Sequence, residues 1–341
     1  MQNKIIRTIC YFTDTPTPET ASKLAEIAGE LEARGYLIQT KRLCSPLKDT
    51  ELLLATAGNV AEYVSMGTLN YNKAIEQLPN LYKDSSVNLN FNLDLTDVAI
   101  EKKYIDLLFK IVNEKPSRTF NFTYVFNNEA SSPFFPSAEY KKNGFSIGLQ
   151  PTDLSDGCTT LEAWFKNMEA CWQEINEMFG ENPEFLGIDS SIAPLAGSQK
   201  GSFINFIKRL GYTFTQSTTT DTYVSITRFI KENNPKPVGL CGIMLPCLED
   251  SDLAAEYEAG NFSVERNIYL SLHSGLGIDT YPIGVDEKPE RVVEILKLLQ
   301  ALSNKYKKPL SARFVSDGKA HIGQKTNFNN QYLVDCIVRA L

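Results

Sequence analysis

Polar residues able to meet a ligand fall in four stretches that read as the carboxyl ends of strands. "FLGIDSSIAPLAGS" brings Asp189, Ser190 and Ser191 to one end, and "YTFTQSTTTDTY" brings Gln216, Ser217, Thr219 and Thr220 to the next. "VGLCGIMLPCLEDSD" ends in Glu249 and Asp250, with Cys241 farther down the same strand. "LSARFVSDGKAH" holds Arg313 within a strand and Lys319 in the loop after Gly318, with His321 close behind. Ligands of parallel α/β proteins bind beyond the carboxyl ends of the strands. The chemistry on offer is therefore acid–base work by Asp189, with Arg313 and Lys319 holding negative charge. Ser191, Thr219 and Thr220 would donate hydrogen bonds, and Glu249, Asp250 and His321 would face the ligand. Cys241 is a candidate nucleophile only if its thiol is activated, since an ordinary thiol is a few per cent thiolate at neutral pH.

Each residue also has a plainer role. Asp250 or Ser251 can cap the following helix, and Thr219, Thr220 and Asp221 can form a helix start. Gly187 and Gly239 can simply permit close packing. Arg313 is harder to explain away, because a buried unpaired guanidinium costs several kcal/mol after relaxation. It needs Asp189, Glu249, Asp250 or an anionic ligand as its partner.

Other chemistries lack their residues. Zinc sites favour cysteine or histidine pairs at short spacing. Cys241 and Cys247 are six apart in the sequence with no second pair. On an extended strand they would lie ~20 Å apart, too far for a disulfide. Two histidines, His273 and His321, are all the chain has. His273 sits in a helical pattern, and no G-x-S-x-G elbow accompanies either one. Neither glycine-rich phosphate cradle is present. No metal is expected, and no cofactor class is indicated.

The elements that must position these groups alternate. "KIIRTICYF" reads as a strand and "TPTPETASKLAEIAGELEARG" as a helix with Leu24, Ile27, Ala28 and Leu31 on one face. "YLIQTKRL" follows as a strand. "ELLLATAGNVAEYVSM" and "LTDVAIEKKYIDLLFKIVNE" read as helices and "FNFTYVF" as a strand. "LEAWFKNMEACWQEINEMFG" carries an aromatic stripe suited to core packing. Then come strand "FLGIDSS", helix "GSFINFIKRLG", strand "YTFTQS", helix "DTYVSITRFIKEN" and a strand over 238–245. Two helices, strand "DTYPIG", helix "PERVVEILKLLQALSNKY" and strand "LSARFV" complete the chain. This alternation predicts a largely parallel sheet covered by helices, either open or closed into a barrel. The whole of 1–341 reads as one compact α/β domain, with a loop insertion around 127–144.

Bulk properties narrow the partners. Lys plus Arg total 34 against 41 Asp plus Glu, a net charge of −7. The basic residues form no stripe, so nucleic acid is disfavoured. No apolar run is long enough to span a membrane, and the N-terminus lacks a signal-peptide pattern. Seven cysteines without regular spacing suggest reduced thiols and a cytoplasmic location.

Several segments resemble the family catalogued as domain of unknown function 711, also called pyruvate formate-lyase-like proteins. They are "IRTICYF" with "GYLIQTKRLCSPL", "SSPFFPSAEY" with "GFSIGLQPTDL", "IDSSIAPLAGS", "GLCGIMLPCLEDSDLA" and "KPLSARFVSDGKAHIGQKTNF". The resemblance covers nearly the whole chain. It implies a barrel-like sheet surrounded by helices, related to the glycyl radical enzyme barrel. It does not imply radical chemistry, since the chain has neither adjacent cysteines nor an Arg-Val-x-Gly-aromatic motif near its C-terminus. The chain also lacks a histidine in "TQSTTT" and another after the Pro-Phe-Phe-Pro loop, where relatives often have one.

The leading expectation is an enzyme acting on a small anionic or polar metabolite. The alternatives are a non-catalytic small-molecule binder or regulator using the same pocket, and an interaction protein that forms a homo-oligomer. In the last case "SSPFFPSAEY" would dock a partner instead of packing over its own pocket.

Overall fold

The computed structural model describes residues 4–47, 49–194 and 201–341. Leu195, Ala196, Gly197 and Ser198 of the "IDSSIAPLAGS" turn lie outside the described residues. Ten strands share one sheet: β1 (Lys4–Phe12), β2 (Tyr36–Ile38), β3 (Lys41–Cys44), β4 (Tyr63–Leu69) and β5 (Asn88–Asp94). The others are β6 (Phe122–Phe126), β7 (Gly144–Leu149), β8 (Phe185–Asp189), β9 (Gly277–Pro282) and β10 (Leu310–Val315). Their order is β8-β7-β1-β3-β4-β5-β6-β10-β9, with β2 also paired to β1.

Direction matters more for the site than order. Strands β1 to β6 pair only in parallel among themselves. So do β7 with β8 and β9 with β10. The two groups meet antiparallel at β1·β7 and β6·β10. At one end of the sheet, therefore, the carboxyl ends of β7 to β10 stand beside the amino ends of β1 to β6. Single bridges Ile188↔Pro237 and Ile192↔Ile243 tie the segment 237–246 to β8 and the residues just after it. Ile243↔Gly275 and Pro246↔Asp279 tie the same segment to β9 and the residues before it.

The alternation of side chains explains the layers. In β5, "NLNFNLD", Leu89, Phe91 and Leu93 join the main apolar core, while Asn90 and Asn92 point the other way and are still buried. A strand buried on both faces can carry polar residues on one of them only if that face has polar work to do. The outward face packs on helices. Helix Pro18–Ala33 starts with Thr17 and Thr20 in a capping box and buries Leu24, Ile27, Ala28 and Leu31. Helix Leu161–Phe179 buries Trp164, Met168, Trp172, Ile175 and Phe179, as core packing predicts.

The stretch 127–143 between β6 and β7 covers the polar inner face. Ser65 Oγ donates to Ala138 O at 2.6 Å and Asn92 Nδ2 to Pro136 O at 2.5 Å. A Cβ at Gly148 would stand 2.8 Å from the Phe134 ring, so glycine is what lets the loop lie against β7. Phe134 and Phe135 are buried. The loop packs on its own molecule, leaving no exposed Phe-Phe pair for a partner.

Four sequence readings need correction. In "ELLLATAGNVAEYVSM" the helix stops at Ala57, Gly58 takes φ +48°, and Tyr63–Leu69 is β4. "LTDVAIEKKYIDLLFKIVNE" becomes helical only from Lys102. "YTFTQS" is no strand: Thr213 and Gln216 form a capping box, the signature of a helix start, and Phe214–Ser217 is a helical turn. The 238–245 strand is reduced to single bridges, because Gly239 (φ +67°) and Cys241 (φ +44°) break the extended run. Among the described residues no helix is long and apolar enough to cross a membrane.

Candidate functional site

A cavity opens at the end where the two strand groups meet. From the amino-terminal part of one group come Arg7 and Thr8 of β1, Arg42 of β3, Tyr63 of β4 and Asn90 of β5. Consecutive residues Arg7 and Thr8 both reach it where the β1·β7 register shifts between Ile6 and Thr8. From the other side come Arg313 of β10, Met244 and Pro246 of the bridging segment, and Glu249 just after it. Phe120, Phe134, Phe135 and Tyr332 supply aromatic walls.

Arg313 is held from three directions. Its Nε lies 2.5 Å from Asp279 Oδ1, its Nη2 lies 2.8 Å from Glu249 Oε1, and Nη1 donates to Phe120 O. Its guanidinium also sits 4.9 Å from the Phe120 ring centroid, within cation–π range. Arg7 takes the other Glu249 oxygen at 3.1 Å and the Gln39 side chain at 3.1 Å. Burial pushes the Glu249 carboxyl above its ordinary range, opposed by Arg313 and Arg7 and reinforced by Asp279.

Arg42 differs. It is 6% exposed, yet its Nε and Nη1 have no hydrogen-bond partner within the described protein. Its guanidinium lies 4.8 Å from the Tyr63 ring centroid. Burial disfavours its charge, and Cys10, Tyr63, Cys44 and Arg313 are the groups acting on it, none of them a carboxylate. Two polar atoms of other lining residues, Thr8 Oγ1 and Asn90 Oδ1, are likewise buried without a partner. Burial pushes the Tyr63 phenol up to about 12, so it remains a hydrogen-bond donor at neutral pH.

Of the residues singled out from sequence, Glu249 and Arg313 line this cavity together. Asp189 lies outside the lining, fully buried, and accepts five hydrogen bonds. They come from Ser132 Oγ, Ser191 N and Oγ, Leu240 N and Cys241 N. It thereby joins the 127–143 loop, the end of β8 and the bridging segment. A Cβ at Gly239 would stand 2.5 Å from its Oδ2, so only glycine lets the backbone come this close. Ser191 is spent in the same network and accepts from Gly242 N. Asp189→Asn would set an amide N–H against one of these donors and is expected to cost about 2 kcal/mol of stability. Urea denaturation checks this, and an unchanged midpoint would refute it.

The remaining candidates sit apart. Thr219 and Thr220 donate to Gln216 O and Ser217 O at the end of a helical turn, and Thr219 is exposed. Asp250 caps helix Ser251–Glu258 through Asp252 N and Leu253 N, and its other oxygen accepts from Phe203 N. Lys319 is exposed, with its backbone N–H on Asp317, and exposed His321 faces Asp286 at 3.4 Å. His273 is exposed, near Tyr269 O. Cys241 is buried, and desolvation, with Asp189 adding, pushes its thiol up to about 12. All seven cysteines are buried, and none is in a disulfide. Iodoacetamide near neutral pH should leave Cys241 unmodified until the protein is denatured, as mass spectrometry would show; rapid native labelling would contradict this. Among the described residues no group of three or more His, Cys, Asp or Glu is placed to hold a metal.

Sequence reasoning missed Arg7, Thr8, Arg42, Tyr63 and Asn90. The carboxyl-end rule overlooks them because they come from the opposite ends of an opposite-running set of strands. Arg42 did carry a signal, the same guanidinium within a strand that marked Arg313.

The profile of the family "Uncharacterised ACR (DUF711)" matches residues 54–329. The chain belongs to this family. No curated protein matches it. In this DUF711 member Tyr63, Asn90, Glu249 and Arg313 fall inside the matched region, whereas Arg7, Thr8 and Arg42 precede it.

Proposed function

We propose that the chain takes a small organic anion into this cavity and acts on it as an enzyme. The observation carrying the anion is Arg42, a buried guanidinium of the cavity lining whose Nε and Nη1 have no partner in the described protein. Such a charge is costly unless something pairs with it. An anionic ligand meets that need, and the aromatic walls suit an apolar body attached to it. Glu249 is the carboxyl group of the lining, and burial raises its pKa toward the range useful for proton transfer. Asp189 serves here to hold the bridging segment and does not touch the ligand.

In this reading the segment 237–246 closes the sheet into a barrel of two opposed parallel halves, supported by its bridges to both neighbours. The kinship with the glycyl radical enzyme barrel is one of architecture alone. Seven thiols without a disulfide fit a reducing, cytoplasmic setting.

A second reading, binding without turnover, is favoured by one observation: both Glu249 oxygens are already engaged by arginines. Thermal-shift screening of the full chain against metabolite anions, with mass spectrometry of each hit, separates the two. A chemically altered ligand supports catalysis, and an unaltered one supports the binder. Stabilisation by neutral analogues alone would defeat both.

A further inference from the structure

We infer that the ligand is a monocarboxylate that also carries a hydroxyl or amide N–H. This rests on the anionic-ligand reading above and narrows it. Three buried wall residues, Thr8, Arg42 and Asn90, are 3%, 6% and 2% exposed and present polar atoms that nothing in the described protein satisfies. Buried polar groups are rarely left so, and each one costs free energy until it is paired.

Their chemistry differs, and the difference specifies the ligand. Arg42 offers unpartnered N–H donors at Nε and Nη1, which suit acceptor oxygens of an anion. Asn90 offers Oδ1, an acceptor, and so asks for a donor on the ligand. Thr8 offers a hydroxyl, which can serve either partner. An anion without a hydrogen-bond donor would leave Asn90 Oδ1 bare, and a neutral polyol would leave the guanidinium uncompensated.

Charge selects carboxylate over phosphate. The wall holds Arg7, Arg42 and Arg313 against Glu249, and Asp279 completes the Arg313 ion pairs. Three guanidiniums face two carboxylates, and the buried Asp153 also acts on Arg7, so at most one positive charge is left to be met. A carboxylate brings one negative charge, whereas a phosphate monoester brings about −1.5 to −2 at neutral pH. The excess would sit buried beside Glu249. The Phe120, Phe134 and Phe135 rings offer an apolar surface to the remainder of the ligand.

The test is calorimetric titration of the full chain with four matched sets of compounds. These are α- and β-hydroxycarboxylates with alkyl or aryl bodies, their deoxy acids, their methyl esters, and the corresponding phosphate monoesters. Hydroxycarboxylates are expected to bind best, deoxy acids about tenfold more weakly, and esters and phosphates not measurably. Asn90→Leu or the isosteric Thr8→Val should erase the preference for the hydroxyl, so that hydroxycarboxylates and their deoxy acids bind such variants equally. Two substitutions are used so that a folding defect in one leaves the other informative. Arg42→Gln should abolish binding of every member. Phosphate monoesters binding in place of carboxylates, or a hydroxyl preference surviving both Asn90→Leu and Thr8→Val, would overturn this inference and leave the anion reading intact. No binding by any anion would overturn both.

Discussion

Arg42→Met is expected to make the protein harder to unfold and unable to hold its anion. The wild-type guanidinium is buried with two N–H-bearing atoms unpaired, and its contact with Tyr63 offsets only part of the desolvation cost. Methionine fills similar space, keeps the contact with the ring and carries no charge. Stability should rise by about 2 kcal/mol, measured by chemical denaturation without ligand. Affinity for carboxylates should fall by about a hundredfold, because the anion then enters a dry site without its partner. The opposed signs are the diagnostic feature. A residue present for packing alone would lower stability when replaced and leave binding untouched. A loss of stability in Arg42→Met would mean that the guanidinium has a protein partner.

Arg313→Ala should move stability the other way. Arg313 is the shared partner of Asp279 and Glu249, and all three side chains are buried. Removing it leaves Asp279 without its guanidinium, and Glu249 with Arg7 alone. Breaking a buried ionic cluster from one side costs about 3–5 kcal/mol, mostly because the remaining charge stays buried and unpaired. The double variant Arg313→Met with Asp279→Asn removes both charges and should recover most of the loss. Urea denaturation of the single and double variants measures the coupling. A single variant within about 1 kcal/mol of wild type would show that the cluster is solvated after all.

The contrast between these arginines bears on how much was readable beforehand. Alternating apolar and polar stretches gave the strand-and-helix order well where periodicity was strong, as in helix Pro18–Ala33 and helix Leu161–Phe179. It failed where a short signal competed with a longer pattern. The Thr213–Gln216 capping box outweighed the β-rich look of "YTFTQS", and Gly58 ended a helix that the preceding leucines seemed to extend. Arg313 and Glu249 were legible because a strand arginine requires a counter-charge, and they meet at 2.8 Å. Asp279, its second partner, could not be chosen from sequence, since it depends on β9 lying beside β10. Arg42 and Asn90 were hidden by direction: a sheet built of two opposed parallel sets brings the beginnings of some strands to the ends of others. In β5, "NLNFNLD", Asn90 and Asn92 turn into a buried interior that no pattern in the sequence marked.

The central claim is that Arg42 awaits an anion from outside the protein. The most direct measurement is a crystal structure of the full chain with the tightest-binding carboxylate found in the titrations. The expected result is density for the carboxylate within hydrogen-bond reach of the Arg42 guanidinium, with Arg313 still bound to Glu249 and Asp279. Density for the ligand elsewhere, or Arg42 turned onto a carboxylate of the protein itself, would contradict it.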